Sequence, residues 1–236
     1  MTDRILDVDG VSVSYGDLTV LRDVNAGVAP GSVVAIVGAN GAGKTTLLRT
    51  IAGVKSPDAG TITFRGEEIS GREPHQLIHR GLTYVPERHR VFPEMTVQEN
   101  LRTALVPVER DRREAFEQVF ELFPILRERR DQEAGTMSGG QQQMLAIAQG
   151  LVTDPTLIML DEPTLGLAPK IVEDIRDTIL AISESGVTVL LVDEKVEMAA
   201  AVSDEMYLMR KNTLTYLGER GEFEAAYNRI LEETVG

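Results

Sequence analysis

The sequence predicts an α/β fold: a mainly parallel sheet covered on both sides, with a helical subdomain inserted into it. Three apolar runs of strand length carry this reading: Ser32 to Val37 (SVVAIV), Thr156 to Leu160 (TLIML) and Thr188 to Val192 (TVLLV). None alternates with polar residues, as expected of strands buried on both faces of a parallel sheet. Helix-spaced segments separate strands, and strand–helix alternation with right-handed crossovers builds such a sheet. The middle of the chain, by contrast, reads as helices punctuated by proline.

Taken in order, the chain opens on an alternating stretch in which Val11, Val13 and Tyr15 share a face, followed by a turn at Asp17 and Leu18. The SVVAIV strand leads into a Gly-rich loop from Gly38 to Gly43. A helix follows with Leu47, Leu48 and Ile51 on one face, stopping near Gly53. Thr61 to Phe64 is a short strand closed by Arg65-Gly66. Thr96 to Val106 and Arg112 to Leu126 read as amphipathic helices, with Pro93, Pro107 and Pro124 between or within them. Ser138 opens a further helix through Val152. After TLIML, a helix runs from about Lys170 to Ser183. Beyond TVLLV, Met206 to Met209 and Thr213 to Leu217 read as closing strands, and Glu222 to Glu233 as a last helix.

The bulk properties bound the function. A chain of 236 residues supports one large α/β domain or a core with a small subdomain. There are no cysteines, which excludes disulfides and cysteine-held metals. A net charge of −13 argues against a general nucleic-acid or anionic-membrane surface. Arginines do cluster at Arg110, Arg112 and Arg113 and at Arg127, Arg129 and Arg130, but interleaved acids mark both groups as solvated helix faces. No apolar stretch approaches the roughly 20 residues of a membrane span, and the N-terminus has no apolar core for a signal peptide.

The motifs then narrow the chemistry. Gly38-Ala39-Asn40-Gly41-Ala42-Gly43-Lys44-Thr45 fits G-x-x-x-x-G-K-S/T, with a buried strand before it and a helix after it. Its glycines let successive backbone N–H groups turn toward phosphates, and the helix N-terminus adds partial positive charge. Lys44 reaches the terminal phosphates, Thr45 offers a hydroxyl to Mg²⁺, and Thr46 reaches an α-phosphate oxygen. Asp161-Glu162 ends the TLIML strand at the carboxyl edge of the sheet. Asp161 there suits Mg²⁺, and Glu162 suits a general base on the attacking water. Met137-Ser138-Gly139-Gly140-Gln141 is a second anion-reading helix start.

That last stretch resembles the LSGGQ signature of the ATP-binding cassette family, with methionine in first place. The resemblance covers essentially the whole chain. It implies a P-loop NTPase (RecA-like) core at residues 1–88 and 155–236, an N-terminal antiparallel β portion, and a helical signature subdomain at 89–154. It also implies ATP and Mg²⁺ as ligands, with Glu162 and Lys44 catalytic and Thr45, Asp161 and Glu87 around the metal. Ser138, Gly139, Gly140 and Gln141 face ATP held by a second ATPase chain, identical or different, in a head-to-tail sandwich. Tyr15 stands where the family stacks an aromatic on adenine, and Val20 adds an apolar contact. The stretches Tyr84 to Arg88, Val91 to Leu101, Gly140 to Ala148 and Asp161 to Pro169 are similar to the ATPase subunits of branched-chain amino acid importers and their urea and amide relatives. The resemblance therefore implies integral membrane permeases, indirectly a solute-binding protein, no nucleic acid, and a place in the cytoplasm on the inner face of the cell membrane.

Three positions depart from the wider family pattern: Glu87 replaces a glutamine, Glu194 a histidine and Ala168 an aspartate. An ionised Glu194 repels phosphate oxygens. The expectation is slow hydrolysis, or substitution by Lys195 or by the partner chain. An exporter ATPase for lipid or lipopolysaccharide, a cassette acting on ribosomes or DNA, and a nucleotide-binding regulator with little catalysis remain alternative readings. His75 and His79 lie four apart without a third ligand and read as ordinary residues, as does His89.

Overall fold

The computed structural model describes residues 4–87, 91–105 and 111–228. Two sheets organise it. The first is four-stranded, in the order β2-β1-β4-β5, with β1 Leu6–Tyr15, β2 Leu18–Val28, β4 Ala59–Phe64 and β5 Glu67–Glu68, every pair antiparallel. The second is six-stranded, in the order β10-β9-β3-β8-β7-β6. Its members are β3 Val33–Val37, β6 Leu82–Val85, β7 Leu157–Asp161, β8 Thr188–Asp193, β9 Glu205–Arg210 and β10 Thr213–Glu219. All neighbours in it are parallel except β9 and β10.

The apolar runs fold as strands because both faces of this sheet are covered. Successive side chains on a strand point to opposite faces. Ile158, Leu160, Val189 and Leu191 accordingly enter one apolar cluster, together with residues of α6 Gly139–Leu151 and α7 Pro169–Glu184. Their neighbours Leu157, Met159, Leu190 and Val192 enter a second, with Leu47, Leu48 and Ile51 of α1 Lys44–Ile51 and the inner face of the four-stranded sheet. A third cluster joins Ala35 and Val37 to Met206, Leu208 and Ala199, the last on α8 Val196–Val202.

Between β6 and β7 the chain runs through α3 Val97–Leu105, α4 Arg112–Leu122, α5 Pro124–Glu128 and α6, while a short α2 Pro74–Ile78 precedes β6. The expected helix from Arg112 to Leu126 is in fact α4 and α5. Phe123 between them leaves the helical region (φ −128°, ψ 74°), because the residue before a proline is pushed out of helical geometry. Leu18 likewise lies in β2 rather than in a turn, leaving Gly16-Asp17 to reverse the chain. The last helix is described from 223 to 228, and the remainder of that expected segment lies outside the described residues.

Candidate active site

β3 sits between β8 and β9, and the loop that leaves its carboxyl end returns as α1. Gly43 is the N-cap of α1 at φ 113°, a left-handed conformation that glycine enters without steric cost. A Cβ at Gly38 would lie 2.3 Å from the Met209 carbonyl oxygen, so only glycine lets the loop start this close to β9. Lys44, almost fully buried at the helix start, donates to the Gly38 and Ala39 carbonyls at 2.7 and 3.2 Å. Its Nζ also lies 2.9 Å from Glu162 Oε1.

β7 ends two strands away at Asp161, followed by Glu162. Asp161 Oδ1 accepts from the Thr45 hydroxyl at 3.0 Å, and Oδ2 from the Tyr84 phenol at 2.7 Å. Burial pushes the Asp161 carboxyl above the ordinary aspartate range. The Tyr84 and Thr45 hydroxyls pull it back, and the charge of Glu87 adds to the rise. Burial likewise raises Glu162, with Lys44 opposing. Glu162 Oε2 also accepts the backbone N–H of Glu194 at 3.1 Å. Lys44 and Thr45 of the loop thus meet Asp161 and Glu162 of β7 at the carboxyl edge of the sheet, where ligands of open α/β sheets bind.

Glu194 belongs to the same cluster: its Oε2 accepts from Asn40 Nδ2 at 2.7 Å, bridging the turn after β8 to the phosphate loop. Glu87, after β6, acts on Asp161 through its charge. Arg88 and His89 lie outside the described residues, and His75 and His79 are exposed. Tyr15, at the end of β1, is 47% exposed, with Lys55 Nζ 5.4 Å from its ring centroid.

The Ser138 turn is held apart. Ser138 is the N-cap of α6 and accepts from the Gln141 N–H at 3.4 Å, while its own N–H donates to Gln141 Oε1 at 3.1 Å. This reciprocal pair leaves the glycine amides at the helix start. Among the described residues, no hydrogen bond joins the turn to the phosphate loop.

Sequence reasoning missed two members. Tyr84 orients Asp161 from the neighbouring strand, and the Arg49 guanidinium lies near enough to act on its phenol. Asp193, buried at the end of β8, accepts from the Thr164 hydroxyl at 2.7 Å and the Lys195 N–H at 2.8 Å. The second was signalled, since Asp193 ends TVLLVD as Asp161 ends TLIMLD. Nothing local to LTYV announces the first.

The donor chemistry fits Mg²⁺. A threonine hydroxyl and a carboxylate, both hard oxygens, lie together beside the phosphate loop, and Mg²⁺ takes few protein ligands alongside phosphates and water. Among the described residues no His/Cys/Asp/Glu group forms a metal cage.

Known proteins resemble this arrangement. The family model described as ABC transporter matches residues 21–165. The branched-chain amino acid transport ATP-binding protein BraG of Pseudomonas aeruginosa is 42% identical, covering 89% of this chain and 91% of BraG. The probable branched-chain amino acid transport ATP-binding protein LivF of Archaeoglobus fulgidus is 37% identical over 90% and 91%. A solved ATP-binding cassette of an ABC transporter in its ADP conformation superposes with a TM-score of 0.84, at 26% identity and 99% coverage of both chains. The chain belongs to the ABC transporter family, as an ATP-binding and ATP-hydrolysing subunit.

Proposed function

We propose that this chain powers an importer of branched-chain amino acids or a related small polar solute. The observation that carries the chemistry is the meeting of Lys44, Thr45, Asp161 and Glu162 at one sheet edge. The solute class rests on the likeness to BraG and LivF. ATP lies with its phosphates in the Gly38 to Gly43 loop, Tyr15 against its adenine and Thr46 on its α-phosphate. Thr45, Asp161 and Glu87 are the residues that would hold Mg²⁺, which would supply positive charge beside the phosphates. Lys44 then exchanges Glu162 for phosphate oxygens, leaving Glu162 to take a proton from the attacking water. The water oxygen bonds to the γ-phosphorus as the bond to the β–γ bridging oxygen breaks, giving ADP and phosphate. Catalysis is chiefly positioning and charge stabilisation.

Ser138, Gly139, Gly140 and Gln141 complete the site of a second ATPase chain. The separation of this turn from the chain's own loop supports that reading, whether the second chain is identical or different. Residues 1–88 and 155–236 form the nucleotide-binding core, and 89–154 the signature subdomain. A cleft of about 260 Å³ between β6, α3 and α6, lined by Val85, Pro86, Thr103 and Gln149 among others, is where a membrane permease docks. Among the described residues no helix is long and apolar enough to cross a membrane. In this reading the permease holds the chain at the inner face.

The transport assignment is tested by affinity purification from gently solubilised membranes of the source, with partners identified by mass spectrometry. Permease subunits and a second ATPase are expected. Ribosomal or DNA-repair proteins without a permease would overturn transport and leave the ATPase chemistry standing.

A further inference from the structure

The two arginine groups that read as separate solvated faces converge in the fold. Arg112 and Arg113 at the start of α4, Arg127 on α5, Arg130 just beyond it and Arg102 on α3 line one open cleft of about 320 Å³. Phe116 and Phe120 form its apolar floor. Arg129 donates instead to Gln132, and Arg110 lies outside the described residues.

The charge balance inside the cleft is lopsided. Glu117 is the one acid in the lining, against five guanidinium groups, and it pairs with Arg127 at 2.8 Å. Arg130 leans on Asp131 at 3.3 Å. Arg112 and Arg113 have no ion-pair partner among the described residues. This concentration occurs in a chain of net charge −13, where general surface drift would favour acids. The helices that present these side chains are fixed from below by Leu101, Phe116, Phe120 and Leu126, all buried in one apolar cluster. Like charges are thus gathered by packing around an apolar floor.

We propose that this cleft is an anion site for a phosphate-bearing ligand, separate from the ATP site. Its volume is at the small end of ligand pockets, which suits a compact anion better than an extended acidic peptide. A phosphate group presents several acceptor oxygens to the planar forks of more than one arginine at once. The ligand is either a soluble polyphosphate-type anion or the headgroup of an anionic lipid.

The test titrates inorganic pyrophosphate into the full chain by calorimetry and sediments the chain with phosphatidylglycerol vesicles. Pyrophosphate also enters the phosphate loop, so two sites are expected in the wild type. In Arg112→Ala/Arg127→Ala one site weakens tenfold or more while ADP affinity and melting temperature stay unchanged; in Lys44→Ala the other weakens. Loss of the second pyrophosphate site in the double variant assigns a soluble anion, and loss of vesicle binding alone assigns a lipid headgroup. If the double variant binds both probes as the wild type does, or if only hexaglutamate binds in an arginine-dependent way, the proposal is overturned. The exposed positions of Arg112 and Arg127 keep the comparison free of misfolding.

Discussion

Glu162 is held in a left-handed backbone conformation, φ 49°, that an L-residue enters only under constraint. Its N–H donates to the Val192 carbonyl, and its two carboxylate oxygens meet Lys44 and the Glu194 N–H. β7 and β8 thus fix where this carboxylate points. Tyr84 does the same for Asp161. We expect Tyr84→Phe to raise the Mg²⁺ concentration needed for half-maximal ATP turnover several-fold while changing kcat at saturating Mg²⁺ little. Weaker Mn²⁺ binding to the ADP complex, read by electron paramagnetic resonance, checks the same point without turnover; unchanged affinity would deny Tyr84 a positioning role. Loss of this bond also leaves a buried carboxylate less satisfied, lowering stability by about 1–3 kcal/mol. Glu194 brings a carboxylate to the phosphate loop through Asn40. Glu194→His removes that charge and should speed phosphate release several-fold, whereas no gain would show that Glu194 does not limit the rate. The loop motif and the acid pair were readable because their chemistry demands fixed spacing. Tyr84 was not, because its role exists only once β6 lies beside β7.

Elements buried on both faces were legible, since runs as short and apolar as VVAIV and LIML, bounded by turn residues, suit a covered strand better than a helix. β2 was not, because its sequence LTVLRDVNAGV mixes charged and turn-forming residues, and its pairing with β1 shifts register at three points. α2 and α8 are five and seven residues long, too short to establish a helical period. α6 packs against α7 at Gly140, where an added Cβ would lie 2.3 Å from Ile171 Cγ2. Gly140→Ala gains about 1 kcal/mol of helix propensity. Overpacking costs about 1–3 kcal/mol, and a methyl fixed to the branched Cβ of Ile171 yields little. The cost wins, so the variant should melt lower in a thermal scan; a higher melting temperature would mean that α6 and α7 separate freely here.

At the scale of the whole molecule, both faces of the parallel sheet carry apolar layers, and the acidic pair and phosphate loop emerge together at its carboxyl edge. The Ser138 turn lies on another element, and in the proposed reading it completes the site of a second chain. Mixing ATP with Glu162→Gln, which is expected to bind ATP with little turnover, should produce a dimer by analytical ultracentrifugation if the second chain is a copy, and Ser138→Arg in that background should abolish it. A monomer in both cases would point to a different ATPase as partner. The sequence carried the α/β class and the helical insertion, while the convergence of its two arginine groups on one cleft was invisible, because α4 and α5 are set against each other only by the break at Phe123-Pro124. The measurement closest to the central claim is phosphate release from Mg·ATP by the purified chain and by Glu162→Gln, with ATP affinity measured alongside. Loss of a general base predicts a fall of about 10²–10⁴-fold in turnover with affinity retained. Equal turnover in the two proteins would contradict the assignment of Glu162 and of the site built around it.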